Sequence, residues 1–316
     1  MSKRAFTFPG QGSQAVGMGR DLAATYPEAR VVFDEVDAAL GQKLSAIMFE
    51  GLDETLRLTE NAQPALMAVS IAVVRVLEAK GVVLKDSAAF VAGHSLGEYS
   101  ALCAAGVFSL ADTARLLKIR GQAMQQAVPV GQGAMAAILG LDLPTVERAA
   151  ADATDGEVCG VANDNAPGQV VISGHVGAVN RAIELCKAAG AKRALPLPVS
   201  APFHCALMRP AADAMAAALE RVAMQAPVVP LVANVTARPI TDPAAIRKHL
   251  VEQVTGMVRW TESVQWLTSE GGVTQLLELG SGKVLSGLAK RIAAEASTAS
   301  VGTPADVEAF LAGLGA

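Results

Sequence analysis

Cysteine is scarce in this chain of 316 residues: there are four, Cys103, Cys159, Cys186 and Cys205. They are widely spaced and form no C-x-x-C pair, so a paired-cysteine motif is excluded and the thiols read as reduced and mostly core. No apolar run reaches the roughly 18 residues of a membrane span. The opening MSKRAFTFPGQG carries two basic residues but meets Pro9 before any long apolar stretch, so a signal peptide is not expected and the chain is placed in the cytoplasm. A net charge of −4 argues against general nucleic-acid binding, although a local basic patch could still meet an acidic partner. Sequence repeats and low-complexity linkers are absent too. What is present is a globular composition, 52% hydrophobic and 18% charged, long enough for one large domain or two smaller ones.

Strand-like and helix-like segments alternate. RAFTF reads as a first strand and leads into a glycine-rich loop, PGQGSQAVGMG. QPALMAVSIAVVRVLEAKG is helical, AAFVAG a strand, and VVPLVANV (228–235) and TQLLELG (274–280) later strands. The alternation implies a mostly parallel α/β sheet. The middle breaks the rhythm. GAMAAILG, LPTVERAAADA, EVCGVAN, QVVISG, HVGAVNRAIELCKAAG and AKRALPLPVS give the order β-α-β-β-α-β, the ferredoxin-like motif. The expected architecture is a large α/β part, residues 1–128 and 201–316, carrying a small inserted subdomain at 129–200. A cleft between them is the natural place for a ligand.

Gly93-His94-Ser95-Leu96-Gly97 is a G-x-S-x-G with a strand before it and a helix after it. That is the setting of a nucleophile elbow, where a sharp turn lifts the serine clear of the sheet. The plainer alternative is a tight turn whose serine caps the next helix. A serine nucleophile needs a base, and only four histidines are available. His94 adjoins Ser95 on a tight turn, where side chains diverge, and reads as a packing or hydrogen-bonding residue. His175 starts a helix, and His249, in PAAIRKHLVEQ, is expected to be exposed. His204, in PVSAPFHCALM, lies where the chain returns from the insert toward the cleft, and is left as the candidate base. No acid with a motif around it follows. Asp242 is explained by the turn ITDP, so the group orienting His204 is expected to be neutral, an amide or a backbone carbonyl.

Arg120 is unusual. In SLADTARLLKIRGQAMQQA, Ser109 and Asp112 fit a helix cap and Arg115 can pair with Asp112. Arg120 instead has Leu116, Leu117, Ala123 and Met124 as its helical neighbours, on the apolar stripe. It needs a distant partner: an acid on another helix, water reached by snorkelling, or the carboxylate of a ligand, which its fork binds bidentately. Gly10-Gln11-Gly12 resembles a dinucleotide fingerprint, but Asp34 and Glu35 lie within a helical run instead of at a strand end, which disfavours nucleotide binding. The loop could instead supply a backbone N–H beside Ser95.

With these residues placed, the chain resembles the malonyl-CoA:acyl-carrier-protein transacylases over nearly its full length. FPGQGSQAVGMG, TENAQPALMAV, GHSLGEYSAL, the stretch ending in Arg120-Gly121, NAPGQVVISG, PFHCALM and LELGSGKVLSGL occur in order. The resemblance implies a hydrolase-like α/β core with a ferredoxin-like insert, and ping-pong transfer of malonyl from malonyl-CoA to the phosphopantetheine thiol of acyl carrier protein, supplying fatty-acid synthesis. Ser95 would carry the malonyl ester, His204 would be the base and Arg120 would clamp the free carboxylate. The N–H groups of Gln11 and Leu96 would form the oxyanion hole and the Gln253 carbonyl would orient His204. Phe203 would favour malonyl over methylmalonyl. No permanently bound cofactor, no metal, no nucleic acid and no membrane are implied, and a monomer is expected. Lys192, Arg193, Lys283, Lys290 and Arg291 are candidate contacts for an acidic carrier. The rivals are a serine esterase or thioesterase with water as acceptor, a non-catalytic carrier-docking relative, and a transacylase for another extender group or a polyketide pathway.

Overall fold

The computed structural model describes residues 3–199 and 201–314. Its strands, in chain order, are β1 (Arg4–Phe8), β2 (Phe90–Gly93), β3 (Gly133–Leu139), β4 (Cys159–Ala166), β5 (Gln169–His175) and β6 (Arg193–Pro196). Then follow β7 (Leu231–Val232), β8 (Pro239–Ile240), β9 (Val258–Arg259), β10 (Gln275–Leu279) and β11 (Ser297–Val301).

The larger sheet has the order β11-β10-β1-β2-β7-β8. All its pairings are parallel except the last, β7 with β8. Such a core needs helices on its faces, and strands buried on both sides read as continuous apolar runs; β2 does, and β1 departs from that only at Arg4 and Thr7. Phe8 pairs with Gly93, so the central strands end level. The glycine-rich loop and the G-x-S-x-G turn therefore leave the sheet side by side, at the carboxyl edge where open α/β sheets bind ligands. On the other side of β2, Ala92 pairs with Val232, which brings Asn234 to the same edge.

The helix Thr59–Ala79 is apolar nearly all round and is buried through most of its length. By length and composition it could cross a membrane, but 83% of its apolar window lies inside the fold. It packs against Leu110–Gln126, whose first turn is capped as read: the Ser109 hydroxyl accepts from the Asp112 N–H at 3.0 Å. Arg115 pairs with Asp112 at 3.2 Å on the surface. The helices approach closely because Gly121 has no side chain. A Cβ there would lie 2.5 Å from the Glu60 Cα.

The smaller sheet has the order β6-β3-β5-β4-β9, antiparallel except where β9 joins β4. The helices Leu143–Asp152 and Val176–Ala188 follow β3 and β5 and share a separate core with them, including Ile138, Val146, Ile172 and Ile183. The β-α-β-β-α-β order is thus as expected, with β9 as an added fifth strand from the other part of the chain. Several strand limits differ. β6 stops at Pro196, since proline has no N–H for a ladder, and Ser200 lies outside the described residues. β7 is two residues long, and the rest of 228–235 is loop. β4 runs three residues past Asn163, carried by two bulges. The four cysteines are free, three of them buried.

Candidate active site

Ser95 sits at φ 54, in the left-handed region, at a cost of about 1–3 kcal/mol for a residue with a Cβ. Two glycines allow the turn. A Cβ on Gly93 would lie 1.9 Å from the Gly97 carbonyl oxygen, and one on Gly97 would lie 2.2 Å from that of Phe8. Two side-chain amides hold the serine backbone. Its N–H donates to Asn234 Oδ1 at 2.8 Å, and its carbonyl accepts from Gln253 Nε2 at 3.0 Å. The expected alternative, a serine cap, is not seen: the Ser95 side chain makes no cap bond to the helix Gly97–Ala104.

His204 is 5% exposed and, like Ser95, has positive φ, 57. Its Nδ1–H donates to the Gln253 carbonyl at 2.9 Å. That bond fixes the tautomer and leaves Nε2 to accept from the Ser95 hydroxyl, 2.7 Å away. The orienting group is neutral, as the missing acid implied, and Asp242 instead caps the helix Pro243–Thr255. Burial, and after it the nearby Arg120 charge, depresses the His204 pKa to about 3. The imidazole is therefore neutral at pH 7, with its Nε2 lone pair available. His94 bonds Asn165 through Nε2 at 2.8 Å, and burial lowers its pKa as well. His175 accepts from the Val158 N–H at 2.9 Å. His249 is not exposed as expected. It is half-buried, and its Nδ1 is buried without a hydrogen-bond partner, because the helix carrying it packs one flank against its neighbours.

Arg120 is 1% exposed. Among the described residues no carboxylate comes within 4 Å of it, so neither the salt bridge nor the snorkelling side chain expected as alternatives occurs. Neutral acceptors surround it. Nη1 donates to Gln63 Oε1 at 2.9 Å, and Nη2 donates to Gln253 Oε1 at 2.9 Å and to Ser95 Oγ at 3.2 Å. Its Nε is buried without a partner, and the guanidinium lies 5.7 Å from the centre of the Tyr99 ring. Burial pulls its pKa down, but an arginine remains cationic at neutral pH. The result is a desolvated cation with its charge uncompensated by direct contact, pointing at the serine oxygen.

Ser95, His204, Arg120 and Gln63 line one cleft of about 620 Å³, together with Gln11, Leu96, Asn163, Asn165 and Phe203. The backbone N–H groups of Gln11 and Leu96 donate to no other group among the described residues, so both are free to meet an oxyanion. The bulges in β4 fall beside Asn163 and Asn165, consistent with bulges re-aiming side chains next to sites. No cluster of three metal-ligating side chains occurs among the described residues. A hydroxyl bonded to a neutral imidazole, two unused amide donors and a carboxylate-sized cation can together perform acyl transfer through serine.

The acyl transferase domain family matches residues 5–301. This chain belongs to that family. The acyltransferase is 50% identical over 311 residues to the malonyl CoA-acyl carrier protein transacylase of Escherichia coli K12, covering 98% of this chain and 99% of that one. A crystal structure of acyl-carrier-protein-S-malonyltransferase from Bartonella henselae superposes with a TM-score of 0.97 at 57% identity, covering 99% and 100% of the two chains. A malonyl-transacylase solved in complex with a type II PKS acyl-carrier protein reaches 0.95 at 48% identity, covering 99% and 100%.

Sequence reasoning missed Gln63, Asn234 and Glu98, the amides and the acid that support the acyltransferase site. Glu98 is 1% exposed, and burial raises its pKa to about 7. Its position in GHSLGE was the available signal, but a glutamate in the first turn of a helix has an ordinary explanation.

The depressed His204 pKa sets a pH expectation. The base must be unprotonated, and kcat/KM reports the free enzyme. Since the folded pKa lies far below the ordinary value of 6.5, kcat/KM for transfer from acetyl-CoA, which carries no second carboxylate, should change by less than about threefold as pH falls from 7.5 to about 5.5. An acetyl rate that falls about tenfold over that range would mean that His204 titrates as an exposed imidazole.

Proposed function

We propose that this acyltransferase moves malonyl from malonyl-CoA to the phosphopantetheine thiol of acyl carrier protein through an ester on Ser95. The observation that carries this reading is Arg120, a buried cation that no carboxylate among the described residues contacts, 3.2 Å from the serine oxygen. The free carboxylate of a malonyl group would complete its coordination by a bidentate fork.

His204 Nε2 takes the Ser95 proton as Oγ attacks the thioester carbonyl. The N–H groups of Gln11 and Leu96 hold the tetrahedral oxyanion; losing one such donor costs roughly 10²–10³-fold in comparable sites. The carbon–sulfur bond breaks, and CoA leaves as a thiol with the proton from His204. The phosphopantetheine thiol then enters, gives its proton to His204 and attacks the ester carbonyl. Ser95 recovers the proton on departure. The Gln253 carbonyl keeps the imidazole in the required tautomer throughout. Phe203, 9% exposed in the cleft wall, would disfavour the extra methyl of methylmalonyl. The reading needs no permanently bound cofactor or metal.

The proposal includes a monomer in the cytoplasm, with residues 129–200 as the small subdomain and no nucleic-acid or membrane partner. An acidic carrier would meet Lys192, Arg193, Lys283 and Lys290, which are exposed; Arg291 is bonded to Gln169 and the Pro167 carbonyl. Association should slow with added salt. The pathway served is fatty-acid synthesis. The polyketide alternative draws on the solved complex with a type II PKS carrier.

The test is acyl transfer from malonyl-CoA and acetyl-CoA to holo carrier protein and to water, followed by mass. Malonyl-carrier product with little hydrolysis supports the reading. Rapid hydrolysis without preference for malonyl would make this a serine esterase.

A further inference from the structure

We propose that Glu98 is a positioning residue of the malonyl site, acting through the Gln253 side chain to aim Arg120; the inference rests on the malonyl reading above. Glu98 lies three residues after Ser95 and points inward. Its Oε2 accepts from Gln253 Nε2 at 2.7 Å and from the Asn234 N–H at 3.2 Å. Gln253 Nε2 also donates to the Ser95 carbonyl at 3.0 Å. Both hydrogens of that amide are committed, so Oε1 is the end turned to Arg120, which it meets at 2.9 Å.

The direction of the amide is the point. A primary amide has a donor end and an acceptor end, whereas a carboxylate only accepts. With an anion at position 98, turning Gln253 over would set its Oε1 against two acceptors, the carboxylate and the Ser95 carbonyl. With a neutral amide there, whose own NH₂ can turn to donate, the carboxylate's hold is lost and only the Ser95 carbonyl and Arg120 themselves oppose a turn that sets the Gln253 NH₂ against the guanidinium, donor to donor. Arg120 would then lose one of the two oxygens, Gln63 Oε1 and Gln253 Oε1, that fix its plane.

The arrangement also answers a charge problem. A carboxylate in direct contact with Arg120 would occupy the fork that malonyl needs. Glu98 instead stands one amide away, where it offsets buried positive charge and leaves the fork open.

The test uses Glu98→Gln, Gln253→Met and the double variant. In Glu98→Gln an amide oxygen can accept both bonds in place of Oε2, so the packing is kept while the charge and the fixed acceptor are lost. Gln253→Met keeps the backbone carbonyl that orients His204. Transfer from malonyl-CoA and from acetyl-CoA to holo carrier is measured at pH 8, where Glu98 is ionised. Glu98→Gln should lower malonyl kcat/KM by at least about tenfold and acetyl kcat/KM by less than about threefold, without a lower melting temperature. Gln253→Met, which also gives up the bond to the Ser95 carbonyl, should lower transfer from both thioesters, malonyl the more, and adding Glu98→Gln to it should change malonyl transfer by less than about twofold.

An unchanged malonyl rate in Glu98→Gln, an equal loss for both acyl groups, or additive losses in the double variant would each overturn the inference. If Glu98→Gln does not fold, Gln253→Met decides alone: a larger loss for malonyl than for acetyl supports the relay and an equal loss overturns it. Native protein that transfers no malonyl would overturn the malonyl reading, and the inference with it.

Discussion

Ser95→Ala protein mixed with malonyl-CoA alone is expected to show no mass increase, while native protein gains one malonyl group. The native adduct requires no carrier protein, because the first half of the reaction ends at the ester. In the same assay His204→Ala should form the adduct roughly 10²–10⁴-fold more slowly, the usual contribution of a positioned general base. Its residual rate would come from the Gln11 and Leu96 donors and from the Arg120 contact, which remain in place. The serine hydroxyl is already 2.7 Å from Nε2, so no rearrangement is required before proton transfer. An adduct that persists in Ser95→Ala would move the nucleophile elsewhere. An unaffected His204→Ala would remove the imidazole from the chemistry.

Arg120→Ala is expected to lower malonyl kcat/KM by at least about 10²-fold, since breaking a buried pair costs about 3–5 kcal/mol. Acetyl transfer should fall far less, or rise, because an acetyl group has no carboxylate to leave unpaired. Arg120→Lys should not restore malonyl transfer. A lysine is a compact point charge on a different stem, and it cannot bridge Gln63 Oε1 and Gln253 Oε1 while presenting two donors to a carboxylate. The measurement is kcat/KM for both thioesters with the same carrier protein. Equal losses for the two would make Arg120 a structural arginine that holds its helix to Thr59–Ala79.

Much of this arrangement was legible in the sequence, for local reasons. Ser95 announced itself because an elbow needs small residues at fixed positions on either side. Arg120 did so because a charge on an apolar stripe has no ordinary explanation, and His204 because the other three histidines had one. The β-α-β-β-α-β segment was readable from its alternating patterns. Other features carry no local signal. From the residues alone a carbonyl was only one option for orienting His204, and it was the family resemblance that pointed to Gln253. Any residue has such a carbonyl, so only the fold can select one. Gln63 and Asn234 are 57 and 139 residues from the groups they hold, and nothing near them in the chain marks them. The ends of β4 and β7 were misjudged because bulges and two-residue pairings depend on neighbouring strands. His249 was misjudged because a polar stretch does not reveal which flank of its helix is covered.

Among the described residues, two of the four non-glycine residues with positive φ are Ser95 and His204, the hydrogen-bonded pair proposed to exchange the proton. Glycine takes up that backbone shape without the Cβ clash. At His204 the buried ring and its bond to the Gln253 carbonyl oppose that exchange, whereas at Ser95 little but the strain is at stake, so a mutant library screened for heat resistance alone would drift toward glycine at Ser95. It would return proteins without the hydroxyl, the familiar conflict between stability and function placed here on a single oxygen atom.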